Sequence, residues 1–583
     1  MRNFVRLCGF SFGLCLVSLH GGEVTFLTDT PEVTGKVTLN PGSVHVDGSP
    51  ATDINLGDIL FADFSDTPFH LEYFSSADLK GTALPDGWKG QDIGAVDAPG
   101  SASIANGTVT LNGGSGGSLG SKEDKVFFLG RQWTGNGQWT VHLKETDGQD
   151  QTAGGFTVRD NLDKGSVMMT IAMTNLDPPD GWSYFRDKPD EGTDIRHYGV
   201  QPPCWMRLTR IGQNFLAFAS ADAKDWTLLY HGSAKMGDAA WIGPVLTSNR
   251  TKFSGKAVFD QMTFTPAPSN ARAVAPGVLL CSGTFLSGYF DRIDVPADGS
   301  APTGRFNRSG KTVDVPISKA AFAVIQPMLR TQLADLGTQI GLVMKNGDFM
   351  NGTFEDINGR EVRITSELLG TTTYNLTDAR ACVLNKLDPQ DADYEVRLKD
   401  GSVIRSNGFS VNNGELSIVD VSGVSVKASP DEIVQFRAGS ARVQTLLELP
   451  WTVPASAAGK AMPDQPLPVQ CWASDNQQQV MMTDPGTQVD FPLTGRFRSM
   501  ALSIALSSDA PPNAQATVRI LADGQEIGRT PPFKAGDRPR FVQVTLNGPK
   551  TVSLVADALF AGTKILYIDP VAIRDNPVPA PQP

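Results

Sequence analysis

Cysteine is scarce in this chain: six in 583 residues, of which Cys8 and Cys15 lie near the N-terminus and Cys204, Cys281, Cys382 and Cys471 are scattered singly. No two of the latter have the spacing of a zinc site or a disulfide framework, so they read as small buried hydrophobes. Histidine is as sparse, with six in all, and the five beyond the N-terminal segment (His45, His70, His142, His197 and His231) form neither an H-x-H nor an H-E-x-x-H element. That removes the usual sequence grounds for a metal cofactor; a Ca²⁺ requirement is neither supported nor excluded. Positive charge is in deficit, 50 Lys and Arg against 62 Asp and Glu. A net charge of −12 gives no basic footprint for nucleic acid or an anionic membrane. Beyond residue 22 no apolar run is long enough to span a bilayer, so no membrane-spanning segment is expected.

Glycine and proline are plentiful, 59 and 39 residues, and stretches of helical period are few. That favours an all-β, turn-rich protein, and the length allows roughly three to five domains. One pattern occurs four times: an apolar strand, a polar turn, then a glycine. It reads EVTFLTDTPEVTGKV at Glu23–Val37, GVLLCSGTFLSGYF at Gly277–Phe290, GLVMKNGDFMNGTF at Gly341–Phe354 and YEVRLKDGSVIRSNGF at Tyr394–Phe409. Such self-similarity marks small β-units that bury their apolar faces against one another. The wide gap between the first and second copies requires an insertion.

Residues 1–22 join two arginines to an apolar run, Leu7–Leu19. The run is too short to cross a bilayer and suits a secretory leader cleaved near Gly21 or Gly22, which implies a secreted or periplasmic protein. The expected division then places repeat 1 at residues 23–63, an inserted sandwich at 64–265 and a Pro/Ala linker at 266–276. Repeats 2 to 4 follow at 277–338, 339–390 and 391–438, with a short helix over Gln326–Leu336. A C-terminal jelly roll at 439–576 and a tail at 577–583 complete the chain.

Within the insertion, short alternating runs are separated by turn signals at roughly ten-residue intervals, the signature of a sandwich or jelly roll. Their phrase order, with DGWKGQDIG at Asp86–Gly94, AGGFTVRD at Ala153–Asp160, PPCWMRLTRIGQNFLAFASADAKDWTLL at Pro202–Leu229 and VFDQMTF at Val258–Phe264, resembles the concanavalin A-like lectin/glucanase sandwiches of the DUF1349 type. The K-N-G-D-x-x-x-G strand–turn–strand makes the later repeats similar to Sm-like small barrels. The C-terminal series ATVRILADGQEIGRT, RPRFVQVTLNGPKTVSLVAD and ILYIDPVAI resembles the NPCBM/NEW2 carbohydrate-binding modules, which implies a galactose-binding-like jelly roll.

Two strings invite a catalytic reading. Gly116-Gly117-Ser118-Leu119-Gly120 fits G-x-S-x-G, but that motif needs a strand–turn–helix in a parallel sheet, and here it sits in a Gly/Ser-rich turn. Glu145 to Asp150 resembles the acidic strand of concanavalin-like glucanases, yet Asp147-Gly148-Gln149-Asp150 reads as a turn in a solvated loop between Leu143 and Phe156. Retaining hydrolysis needs two carboxyls held close together on one face.

A sugar is gripped by aromatic platforms and polar forks. Period-two alternation turns Phe156, Val158, Met206 and Leu208 inward. It turns outward Arg159, the set Trp182, Tyr184 and Arg186, and the pair Trp205 and Arg207. These six are the candidate carbohydrate-binding residues, expected together on one sheet; the alternative is that the arginines pair with acids such as Asp160 and Glu145 and brace it. The sequence thus points to a non-catalytic exported protein that binds a polysaccharide or cell-surface glycan. A scaffold docking other envelope proteins, and a glycoside-acting enzyme, stay open as alternatives.

Overall fold

The structure, a computed structural model, describes residues 23–575 apart from 27–32, 41–42, 48–50, 65–73, 77–78, 80, 114–118, 149–151, 175–179, 212–213, 224–225, 238, 249–253, 267–272, 275, 295–300, 327, 330–338, 345–347, 413–414, 455–468, 473–477, 508–509 and 559–562. The fold is all-β: the helical elements among the described residues are short 3-10 turns. None is long and apolar enough to cross a membrane. The expected leader, the G-x-S-x-G serine and the expected tail lie outside the described residues.

All four repeats are built alike. A first strand (Glu23–Phe26, Gly277–Leu280, Gly341–Met344 or Tyr394–Leu398) turns back into a second (Val33–Thr34, Phe285–Ser287, Phe349–Asn351 or the start of Val403–Asn412). In the first three the chain then bends at Gly35, Gly288 or Gly352. A Cβ there would stand 2.4, 2.1 or 2.5 Å from the carbonyl oxygen of Asp47, Asn307 or Thr365, which is the physical reason for the glycine in the pattern. A meander, a 3-10 turn and a closing strand (Ile59–Asp63, Ala320–Val324, Ala379–Val383 or Ile433–Ala438) finish each unit.

The repeats do not stand as separate barrels. Their strands join one 14-stranded sheet in the spatial order 1, 4, 2, 3. Repeats 1 and 4 meet through closing strands (Ala62 opposite Phe436), repeats 4 and 2 through second strands (Val403 opposite Phe285), and repeats 2 and 3 through closing strands (Ala323 opposite Cys382). One continuous apolar cluster draws Val24, Val37, Leu280, Phe306, Leu342, Ile364, Leu398 and Ile418 from all four units.

The inserted sandwich has an eight-stranded and a seven-stranded sheet around a core that includes Trp133, Trp139, Phe156, Val158, Met206, Leu208 and Phe264. Ala273–Val274, inside the expected linker, is a short strand paired with Met328–Leu329. Met328–Leu329 is therefore extended where a helix was expected, because it has a strand partner; residues 330–338 lie outside the described residues. The C-terminal sandwich packs six- and five-stranded sheets around Met481, Phe491, Ile504, Phe533 and Tyr567. It seats on repeats 1 and 4, where Leu60 and Ala438 join Val571 and Ile573 in one cluster and Arg437 lies 3.5 Å from Asp569.

Candidate functional site

The strands Thr152–Arg159, Met168–Thr174 and Gly181–Arg186 lie side by side in the seven-stranded sheet. Their register sets Arg159 beside Met168 and Arg186, Thr157 beside Thr170 and Tyr184, and Ala172 beside Trp182 on the face away from the core. Alternation therefore put Arg159, Trp182, Tyr184 and Arg186 on one face, but that face is not an open groove. Arg159 and Arg186 are fully buried and converge on Asp124, itself fully buried. Arg186 donates to both Asp124 oxygens (2.7 and 3.1 Å) and to the carbonyls of Ser121, Ser166 and Glu191. All five guanidinium donors are thereby used. Arg159 donates to Asp124 and to the carbonyls of Asn161 and Asp163. Both arginines clamp loops over the sheet end instead of reaching solvent, and their partner is Asp124 rather than the Asp160 or Glu145 suggested by the sequence.

Trp182 and Tyr184 are buried in a second apolar cluster with Leu119, Phe128, Met168, Ala172 and Val245. Leu119 comes from the loop ahead of the Asp124 clamp and closes over the face. The Trp182 indole N–H donates to His197 Nδ1 at 2.7 Å, and burial pushes the Tyr184 phenol up. Four of the six candidate residues thus form a packed and stapled layer.

Trp205 and Arg207 belong to the other sheet, on strand Cys204–Ile211, which pairs with Gly137–Asp147 and Asn214–Ser220. The expectation of one shared face fails because alternation fixes the side of a strand that a residue occupies, not the sheet the strand joins. On the outer face of this eight-stranded sheet, cross-strand neighbours set up two rows. One row runs Asp260, His142, Trp205, Ser220; the other runs Thr263, Thr140, Arg207, Phe218, Leu228.

In the first row His142 Nδ1 donates to Asp260 Oδ1 at 2.7 Å, with side-chain exposures of 18% and 21%, and the imidazole packs on Trp205 with ring centroids 4.8 Å apart and the rings tilted by 32°. In the second, the Arg207 guanidinium lies 3.6 Å from the Trp226 ring centroid and its Nε donates to Thr140 Oγ1 at 3.3 Å. The Trp226 N–H is held by the Ala223 carbonyl at 3.0 Å, and Leu216 and Phe218 pack beneath with Leu228. Burial lowers Arg207 to about 10, so it stays charged at neutral pH. Two half-buried indoles, a planar cation and an oriented imidazole–carboxylate pair thus share one surface, a set able to stack on a ring and bind hydroxyls. Sequence reasoning missed His142, Trp226 and Asp260.

The acidic string offers no matching constellation. Glu145 lies in the strand Gly137–Asp147, which runs further than the loop expected after Leu143 because it keeps pairing with Gly255–Thr265. Its carboxylate is 2.5 Å from Lys256, and the Lys256 ammonium holds it below the usual range. Asp150 lies outside the described residues. Among the described residues no group of three or more His, Cys, Asp or Glu is placed to hold a metal ion.

No family model matches the chain, and no curated protein matches it. Among solved structures it is similar to LamAcat from Zobellia galactanivorans, at 11% identity over 34% of this chain and 97% of that one, with a TM-score of 0.23. It is similar to a lectin from Bauhinia forficata in complex with GalNAc at 7% identity, over 33% of this chain and 97% of that one, TM-score 0.23. A third similarity is to the CBM51-2 and INT domains of Clostridium perfringens ZmpB in complex with GlcNAc, at 10% identity over 36% of this chain and 43% of that one, TM-score 0.18.

Proposed function

We propose that this is an exported, non-catalytic carbohydrate-binding protein whose glycan site is the outer face of the eight-stranded sheet, with Trp205, Trp226 and Arg207 at its centre. The observation that carries the reading is the Arg207 guanidinium over the Trp226 ring beside the His142–Trp205 ring contact. A sugar ring lies against the indoles while Arg207, His142 and Asp260 bind its hydroxyls. The resemblance of the insertion to lectin/glucanase sandwiches and of the C-terminal unit to NPCBM modules agrees with a polysaccharide or cell-surface glycan as ligand. Two binding modules on one chain would add avidity on a polymer.

The test is a glycan array with the full chain, with and without Ca²⁺, followed by titration of any hit. Trp205→Ala and Trp226→Ala should each weaken binding about tenfold or more, the loss of roughly 1.4 kcal/mol or above expected of an aromatic anchor. Binding unaffected by both substitutions would move the site elsewhere, and silence across the array with a folded chain would sink the proposal.

A further inference from the structure

The three junctions of the repeat sheet join like to like: closing strand with closing strand, second strand with second strand, closing strand with closing strand. Continued by the same rule, each end of the array calls for a second-strand junction. The ends are Val33–Thr34 of repeat 1 and Phe349–Asn351 of repeat 3. Among the described residues each is hydrogen-bonded on one side only, an open sheet edge.

The internal second-strand junction shows what such an edge accepts. Phe285 faces Leu279 within its own repeat, Val403 faces Arg397, and Phe285 lies opposite Val403 across the junction. The pairing is close to two-fold. Arg308, at the end of the meander hairpin of repeat 2, reaches Asp400 at 2.9 Å and Glu432 at 3.3 Å in repeat 4. In return Asp420, at the matching hairpin end of repeat 4, accepts from Ser282 (2.8 Å) and Thr284 (2.5 Å) in repeat 2.

Repeat 3 presents the same parts with different chemistry. Phe349 faces Val343 and so occupies the place of Phe285. Its meander hairpin ends at the pair Ser366 and Gly370, matching Arg308 and Lys311. Where repeat 2 projects two cations across a junction, repeat 3 carries a neutral serine, a single exposed acid, Glu367, and then Leu368 and Leu369, 96% and 61% exposed. Ile340, beside the bend of the same edge, is 46% exposed. These are three of the eight large hydrophobic side chains exposed among the described residues, and they lie in repeat 3, one of the two repeats whose second strands end the array. An apolar surface at an unpaired edge marks an interaction site.

We propose that this edge pairs with the same edge of a second copy of the chain, giving a two-fold dimer in which Phe349–Asn351 runs antiparallel to its counterpart and Phe349 lies opposite the other copy's Phe349. The surface can meet itself: an edge strand and a hairpin tip whose exposed Leu368 and Leu369 flank one acid, Glu367, with a neutral residue at the Ser366 position. The internal junction between repeats 2 and 4 supplies the geometry, and Leu368 and Leu369 take the place that Arg308 and Lys311 hold there. The edge of repeat 1 is a poorer mate, with two residues of strand, Thr34 exposed, and Pro31, which lacks an N–H, just before it.

The test is sedimentation velocity of the full chain across micromolar concentrations. A mass twice that of one chain is expected, reduced to a monomer by Leu368→Asp with Leu369→Asp, positions exposed enough to leave folding intact. Independently, Phe349→Cys should yield a disulfide-linked dimer under oxidation while the parent chain does not, since directly opposite antiparallel residues stand about 4.5–5.5 Å apart at Cα, within disulfide reach. A monomeric parent chain overturns the proposal. So does a dimer that survives the double substitution, or open-ended polymers, which would join the repeat 3 edge to the repeat 1 edge instead.

Discussion

The Arg186 guanidinium stands 2.7 Å from the Asp124 carboxylate with both side chains wholly shielded from water, and Arg159 shares the same carboxylate at 3.1 Å. A buried pair of this kind is costly to break from one side, because the survivor is left charged and unpaired. Asp124→Ala strands two guanidiniums and releases the loops that Arg186 ties down, so it should destabilise the inserted sandwich by about 3–5 kcal/mol. Chemical denaturation read from tryptophan emission measures it; a loss under about 1 kcal/mol would mean that the loops hold without the clamp.

Glu395 sits between Arg397 (2.7 Å) and the seat of the C-terminal sandwich, with a quarter of its side chain exposed. Burial alone would raise its carboxyl, but Arg397, Arg437 and Arg405 outweigh that and hold it at about 2, against 4.5 for free glutamate. The folded state therefore gains from ionisation, fully above pH 4.5, and loses that gain as pH falls towards 2. Glu395→Gln should be less stable at neutral pH, and its deficit should shrink steadily through this window. Urea midpoints of the two proteins followed with pH decide it: a constant deficit would show that the charge of Glu395 is irrelevant.

The repeats were legible because each carries a glycine at the bend, which in the first three stands where another side chain does not fit. Their order in space was not, since all the strands are similar and the partner of an edge strand is chosen by contacts far away in the chain. At the site, alternation read Trp205 and Arg207 correctly as outward. It could not read that Trp182 and Arg186 join the opposite sheet, nor that Asp124, in a loop with no periodicity, would seal that face. Asp260 was hidden by a bulge: it and the exposed Gln261, whose φ is +48°, both point away from the core, so the period of VFDQMTF breaks where the candidate residue lies.

The bend glycines separate into two kinds. Gly288 has φ +152° and a Cβ there would lie 2.1 Å from the Asn307 carbonyl oxygen, a backbone atom that cannot move aside. Gly408 of repeat 4 has open space around it, because that strand bends through a register shift between Ser406 and Phe409. Gly288→Ala should cost roughly 1–3 kcal/mol, and Gly408→Ala about 0.5 kcal/mol or less in either direction. Equal effects in thermal or urea unfolding would contradict a steric origin for the repeated glycine.

Arg207 offers the sharpest separation of binding from bracing. Its guanidinium lies over the Trp226 ring, and its other contact among the described residues is the Thr140 hydroxyl, with no carboxylate among those residues engaging it. Lysine keeps the positive charge but has neither the plane to stack nor the fork to span two sugar hydroxyls. Arg207→Lys should therefore weaken glycan binding about tenfold, near 1.4 kcal/mol, while the unfolding midpoint moves little. The two readouts diverge only for a ligand-binding arginine. A variant that loses stability in step with affinity would make Arg207 part of the packing of Leu216, Phe218 and Trp226, and the glycan would have to be held by Trp205 and the His142–Asp260 pair without it.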